Sequence, residues 1–413
     1  MNYKTLIGLG VAALLALTAA IALNHVEKPV SEGREGSAYL APTLRDHLND
    51  ISKIAVTGAD SKTIATLVRG ATGWGVIEKG GYGVDTGKLR EFLLKLADAK
   101  LVERKTANKD KYATLGVEDV SGKDAKGVQV EIDGLAQPLQ LIVGNANPRG
   151  GGTFVRRAAD AQSWLASGTF SIEKNSADWL KKDLVDITAD RIQSVTIDHP
   201  DGKRVHVAKD AQGNANFKLD DIPKGREPGA EYSLNGLAST LAGLRFDDVG
   251  PAKNDAPDDK AVKARYAMFD GLVIDAIAWE KDSKDYAQLR ASLDGAQADK
   301  GIAAAQAKDK ADFESASTAK PGEAKVAKAT DAPIKPLVVS DPDRDHEKRM
   351  AALNKQVADL NAQFTGWTFT LPAYKYASIN KSMDDLLKPV EAKKPAESVK
   401  SASTLKPAAA SRK

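Results

Sequence analysis

Ile51-Ser52-Lys53-Ile54-Ala55-Val56 opens a run, Ile51 to Leu101, that the chain writes again from Ile192 to Val249. These six residues alternate apolar and polar, the period-2 signature of a strand with one buried face. A turn at Gly58-Ala59-Asp60 leads to a second strand, Ile64-Ala65-Thr66-Leu67-Val68. A turn at Gly70 to Gly73 then leads to a third, Trp74-Gly75-Val76-Ile77. Leu89, Phe92, Leu93 and Leu96 follow at i, i+3, i+4, i+7, the apolar stripe of an amphipathic helix. The second writing has Ile192/Val195/Ile197, a turn at Pro200-Asp201-Gly202, then Val205/Val207, and Phe217/Leu219 where the first has Trp74. Its helix carries Leu234, Leu237, Leu241 and Leu244. Strand, strand, strand, helix is the expected building unit, with an aromatic residue opening the third strand.

Between the two copies, Val128 to Ile132 and Leu139 to Val143 alternate around Asp133-Gly134, which predicts a hairpin. Thr153-Phe154-Val155-Arg156-Arg157 predicts a further strand, and Ser176 to Leu184 a helix. A third, degenerate copy is expected from the strand pair Leu272–Trp279 and Ala287–Leu293, with Trp367–Leu371 and a short helix at Ser378–Leu387. Asp294 to Ala332 is rich in Ala, Lys, Asp and Ser and reads as a disordered linker or fraying helix. The expected fold class is α+β: an N-terminal transmembrane helix, then repeated strand-strand-strand-helix units forming antiparallel sheets with helices on one face. The expected boundaries are 1–24 for an anchor or uncleaved signal, 25–43 for a tether, 44–122 for the first unit and 123–185 for a middle hairpin block. A second unit follows at 186–256 and a third at 265–293 with 365–388. Within the third unit lie a low-complexity linker at 294–344 and an inserted helix at 345–364, and a disordered tail closes the chain at 389–413.

The chain has 413 residues, enough for more than one core. Its 59 Lys and Arg against 56 Asp and Glu leave no basic excess with which to seek nucleic acid. It has no cysteine, which excludes disulfides, thiolate metal sites and a cysteine nucleophile. Thr5 to Leu23 carries no charge and follows Lys4. About 20 apolar residues cross a bilayer as a helix. A span of the inner membrane through residues 5–23 is therefore expected, with a cleaved secretory signal ending near Ala20-Ile21-Ala22 as the rival. Either places the bulk of the chain in the periplasm.

Two features invite a functional reading. The loop Gly144-Asn145-Ala146-Asn147-Pro148-Arg149-Gly150-Gly151-Gly152, with Arg156 and Arg157 close by, could cradle an anion on backbone amides and guanidinium groups. A flexible hairpin connection explains the same glycines, and the loop lacks the ending of a P-loop. Met350, Leu353, Val357, Leu360 and Phe364 recur at 3-4-3-4 spacing, an a/d seam that docks either on the protein's own body or on a partner helix. Other patterns favour plainer readings. Asp341, Asp343 and Asp345 alternate as in a calcium loop, but His346 stands where glycine is needed, so they read as acids before a helix N-terminus. His25, His47, His199, His206 and His346 show no ligand spacing, and no serine sits in a Gly-x-Ser-x-Gly elbow. The expectation is no catalytic residues, no metal and no cofactor.

The Trp-opened strand before a Leu-rich helix, the block Leu139–Gly144 running to Thr153–Arg156, and Trp179-Leu180 before Asp186-Ile187 resemble a domain-of-unknown-function family of bacterial envelope proteins. The resemblance covers Leu44 to Val249 and, more weakly, Leu272 to Leu387. It implies a repeated α+β periplasmic body, encoded beside gliding-type ABC transporter components. The role it implies is a non-catalytic accessory or scaffold, with ABC transporter components as partners. The alternative is a binding module for an anionic envelope glycan or lipid headgroup, acting through the Gly144–Gly152 loop.

Overall fold

A computed structural model of the protein describes residues 38–318 and 335–389. The chain divides into two compact units, one running up to Lys182 and the other from Asp183, with Asp248–Pro251 grouped with the first.

The first unit begins with helix α1 (Pro42–Asp46) and strands β1 (Lys53–Thr57), β2 (Thr63–Gly70), β3 (Gly73–Val76) and β4 (Tyr82–Gly83). Helix α2 (Thr86–Asp98), β5 (Leu101–Arg104) and helix α3 (Tyr112–Leu115) follow. Then come β6 (Val128–Asp133), β7 (Leu139–Ala146), β8 (Thr153–Arg157) and β9 (Ser163–Ala166). Together the strands form a nine-stranded sheet in the order β4-β3-β2-β1-β6-β7-β8-β9-β5. Alternation fixes its register: Ile54 lies opposite Leu67 on one side and Ile132 on the other, and all three are buried. Helix α2 starts at Asp85, whose carboxylate accepts the Lys88 N–H at 3.0 Å. It buries Leu89, Phe92, Leu93 and Leu96, and each such side chain contributes about 1.5–3 kcal/mol of burial. Phe92 meets Trp179 edge to face at 5.9 Å.

The second unit contains β10 (Asp183–Val185), β11 (Ile192–Asp198), β12 (Arg204–Ala208), β13 (Lys218–Leu219) and helix α4 (Glu231–Ala238). After these come β14 (Leu244–Arg245), β16 (Val262–Met268), β17 (Leu272–Lys281) and β18 (Lys284–Leu293), while β15 (Asp248–Pro251), between β14 and β16 in the chain, is the segment grouped with the first unit. Helices α5 (Gly295–Thr318), α6 (Leu337–Ser340) and α7 (Pro342–Phe364) precede β19 (Trp367–Leu371) and helix α8 (Ala373–Ile379). Strands β10 and β14 pair as a separate ribbon. The others form an eight-stranded sheet in the order β13-β12-β11-β16-β17-β18-β19-β15.

Matching β11 to β1, and each later strand in turn, gives both sheets one order, with β4 alone lacking a counterpart. This corrects the expected fold class. The chain holds two copies of a long unit, not a series of short strand-strand-strand-helix units. The middle hairpin of the first copy and the supposed third unit are the second halves of the two copies. Strand β6 continues the sheet from β1 because its buried residues Val130 and Ile132 lie opposite Val56 and Ile54. In the same way β16 continues from β11, with Ala264 opposite Ile197 and Tyr266 opposite Val195. Three antiparallel sheets and eight helices make up the described residues, and none of those helices is long and apolar enough to cross a membrane. The expected transmembrane run at 5–23, and all of the expected 389–413 tail but its first residue, lie outside the described residues.

Local readings change as well. Ser176–Trp179 is a single 3-10 turn capped by the Asn175 side chain, and the chain after it enters β10. Much of the supposed linker is helix α5: alanine is the best helix former, and the helix buries Ala298 and Ile302. Helices α5 to α7 stand between β18 and β19, where the first copy has only the short β8–β9 connection. Polar pairs join α5 to α7. Gln306 donates to Asp345 at 3.0 Å, and Arg349 meets both Asp345 and Asp309 at 2.6 Å. Burial pushes the Asp345 carboxyl up, but its bonds to Arg349 and Gln306 outweigh that and hold it below the usual carboxylate range.

Candidate functional site

The loop at 144–152 is built for its own closure. Asn147 accepts the Arg149 N–H on its side chain and the Gly150 N–H on its carbonyl, and its own N–H donates to Gly152. The amides of Asn147, Arg149 and Gly150 are therefore engaged within the loop. Gly144 lies away from the tip, where a Cβ would come within 2.4 Å of the Leu115 carbonyl oxygen. Gly150, Gly151 and Gly152 hold positive φ angles of 94°, 63° and 104°, which glycine adopts freely. Nor do the three arginines converge. Arg149 is exposed beside the tip, and Arg157 donates to the Leu40 carbonyl at 2.8 Å. Arg156 is buried. Its Nε donates to the Val117 carbonyl at 2.9 Å and its Nη1 to Ala158 and Asp160 at 3.3 and 3.0 Å. Its Nη2 meets Asp119, and its guanidinium lies 4.7 Å over the Tyr112 ring.

The seam of α7 faces the protein's own second unit. Met350, Leu353, Val357 and Leu360 are half-buried and Phe364 is fully buried. Next to them, Asn361 accepts the Ala291 N–H at 2.9 Å and donates to the Ala291 carbonyl at 2.8 Å. It completes the edge of β18 beyond Asp285–Ala287, the residues that pair with β19. Asp341 caps this helix by accepting the Arg344 N–H at 3.1 Å. The histidines of the β11–β12 hairpin serve separate bonds: His206 pairs with Thr196 at 2.9 Å, and His199 with the Lys381 carbonyl at 3.1 Å.

Sequence reasoning passed over a groove of about 590 Å³ in the first unit. Helix α1 and the residues after it supply Arg45 and Asn49, the β2–β3 hairpin supplies Arg69 and Trp74, and α2 supplies Arg90 and Leu94. Arg69 and Trp74 are direct cross-strand partners. The Arg69 Nη1 donates to the Asn49 backbone carbonyl at 2.6 Å. Arg45 donates to the Tyr39 hydroxyl at 2.5 Å, with Asp98 at 4.0 Å. The Arg90 side chain is exposed and has no hydrogen bond or ion pair among the described residues. Leu94 is 41% exposed, which is unusual for leucine on a packed helix. The groove thus offers cationic donors beside an indole and an aliphatic wall, a combination suited to an anionic group carrying an apolar portion.

The second unit supplies an internal control. The Arg69 N–H bonds the Ser52 carbonyl and the Lys209 N–H bonds the Gln193 carbonyl, both at 2.9 Å, which places Lys209 at the position of Arg69. By the same register Phe217 stands for Trp74, and Asp190 for Asn49. Here the arrangement is closed. The Lys209 side chain is 2% exposed and lies 3.9 Å from Asp190, with its ammonium 4.6 Å over the Phe217 ring. A cation beside an aromatic ring is common to both copies, but in the second it is covered and has an acid next to it.

Residues 74–264 match the model of a family described as a domain of unknown function (DUF4340). The match runs from β3 into β16, so it takes in parts of both copies and includes Trp74, Arg90, Lys209 and Phe217. No curated protein matches the chain, and no solved structure matches it.

Three patterns in the sequence could have exposed the groove: the cation before each β2-type turn, the aromatic after it, and the change from Asp190 to Asn49. The rest comes from α1 and α2, far enough away in sequence that no motif links them.

Proposed function

We propose that the protein is a non-catalytic accessory or scaffold protein of the cell envelope, with a component of an ABC-type export system as its partner. The observation that carries this reading is the duplication. One chain presents two large antiparallel sheets of the same strand order. Along β1, β6, β11 and β16 buried positions alternate with half-buried or exposed ones, so these strands present a face clear of the core. Two like platforms on one polypeptide suit a protein that holds others together. Val102 and Tyr232, 61% and 79% exposed, supply the large apolar side chains that partner surfaces engage. The uncharged run Thr5–Leu23 supports the envelope setting.

The second expected role, an anion held at 144–152, loses its central guanidinium to the fold and is not carried forward at that loop. The test uses the full chain in its native membrane, with a photo-crosslinking side chain placed at Val102 or Tyr232. Recovery of an ABC permease or its auxiliary subunit from either position is the expected result. Recovery of no such component from both positions would contradict it.

A further inference from the structure

We propose that the groove of the first unit is a binding site for a phosphate ester, a phosphate group joined to an apolar body. Three observations support this site, none of which depends on the accessory role. First, charge: Arg45, Arg69 and Arg90 line the groove against a single acid, Asp46. Arg90 has no ion pair among the described residues, and the one bond of the Arg69 guanidinium goes to a neutral carbonyl. Guanidinium forks match the oxygens of a phosphate, and their charge-assisted bonds are the stronger kind.

Second, shape: Trp74, Leu93 and Leu94 form an apolar wall beside these cations, and about 590 Å³ is the size of a small-molecule site. A free phosphate would leave that wall unused, whereas an ester would cover it.

Third, the second copy shows what the same frame looks like when it is not open to a ligand. Lys209 replaces Arg69, is buried against Phe217 and has Asp190 at 3.9 Å. Aligning the buried residues Leu89, Phe92 and Leu96 with Leu234, Leu237 and Leu241 places Asn235 at the position of Arg90 and Ser239 at that of Leu94. Asn235 is taken up within the fold, accepting the Phe217 N–H at 3.0 Å. At the positions of Arg69, Arg90 and Leu94 the second copy thus removes the feature or satisfies it internally.

The test titrates phenyl phosphate into the full-length protein and follows the indole N–H resonance of Trp74, assigned with Trp74→Phe. Saturable binding that shifts this resonance is expected, tighter than that of inorganic phosphate. Arg69→Gln and Arg90→Gln should each weaken it about tenfold. Asn49→Asp, which installs the acid of the second copy at an exposed position, should weaken it by a similar factor. Each variant's circular dichroism spectrum is checked against that of the unaltered protein, and Arg69→Lys keeps the charge if the glutamine variant fails to fold. Cosedimentation with phosphatidylglycerol vesicles, lost in Arg69→Gln and absent with phosphatidylcholine, would assign the ester to a lipid headgroup. Binding of phenyl phosphate without cosedimentation would assign it to a soluble ester. Phenyl phosphate binding that is absent, or equal in the unaltered protein and all arginine variants, overturns the proposal.

Discussion

The two copies share a strand order but fill corresponding positions with different chemistry. At Gly144 the first copy brings the Leu115 and Gly116 carbonyls within 2.4 and 2.8 Å of where a Cβ would stand. The ladder pairs Val128 with Val143 and Val262 with Ala278, so Trp279 occupies that position in the second copy. A turn of backbone fills the space in one copy and an indole fills it in the other. Arg156 pairs with Ser163, and by the same register Gln288 pairs with Thr368. Arg156 braces the Val117 carbonyl, and Gln288 donates to the Asp255 carbonyl at 3.4 Å and to Thr368 at 2.9 Å. Both brace the loop that enters the strand next to the first. The recurrence shows why the most suggestive arginine in the sequence is structural: its place in the unit is that of a brace, whichever side chain supplies it.

Substitution can break this pairing. The largest effect is expected for Trp279→Ala, which removes a ring 1% exposed and stacked on Tyr286 at 5.7 Å. A loss of about 4 kcal/mol is expected, read by urea unfolding monitored through the remaining tryptophans. Arg156→Ala should follow at about 3 kcal/mol, because it leaves several carbonyls without a donor, and Gln288→Ala at about 1 kcal/mol. Equal losses for these two would contradict the larger bond set assigned to Arg156. Gly144→Ala should cost about 2 kcal/mol through overpacking against the 115–116 backbone, read as a fall in the urea midpoint.

The smallest effect at neutral pH concerns Tyr266, which stands where the first copy has Ile132. Burial pushes its hydroxyl well above the ordinary phenol value of 10.0, and its contact with Thr240 offsets that only in part. Above pH 10.0 the unfolded chain gives up this proton while the native protein keeps it, so the contribution is complete below that pH and declines as pH rises. Between about pH 9 and about pH 11, the protein should therefore lose more thermal stability than Tyr266→Phe does. Equal losses would show that the hydroxyl is not desolvated.

Much of the fold was legible because strand alternation and the α2 stripe depend on local residue order. The repeat of Ile51–Leu101 in Ile192–Val249 could be read for the same reason. What stayed hidden was long-range pairing. Nothing local in Val128–Asp133 says that it joins β1, since any strand with one apolar face can extend a sheet. The insertion of α5 to α7 then separated β18 from β19 and made the second half of the copy look like a damaged third unit. The Ala/Lys-rich stretch misled because it has few large apolar residues, yet Ala298 and Ile302 suffice to seat α5. The glycine loop misled because composition records glycines and arginines but not which carbonyls they already serve. The groove could not be read at all from one segment, since its cations come from α1, the β2–β3 turn and α2.

One frame exists twice in this chain, open in the first copy and closed in the second. The most direct test is the set of nuclear Overhauser contacts between phenyl phosphate and the aromatic side chains of the full-length protein. Contacts from the phenyl ring to Trp74 and Leu94, with none to Phe217, are the predicted result. Contacts to Phe217 equal to those at Trp74, or contacts at neither ring while binding persists, would contradict it.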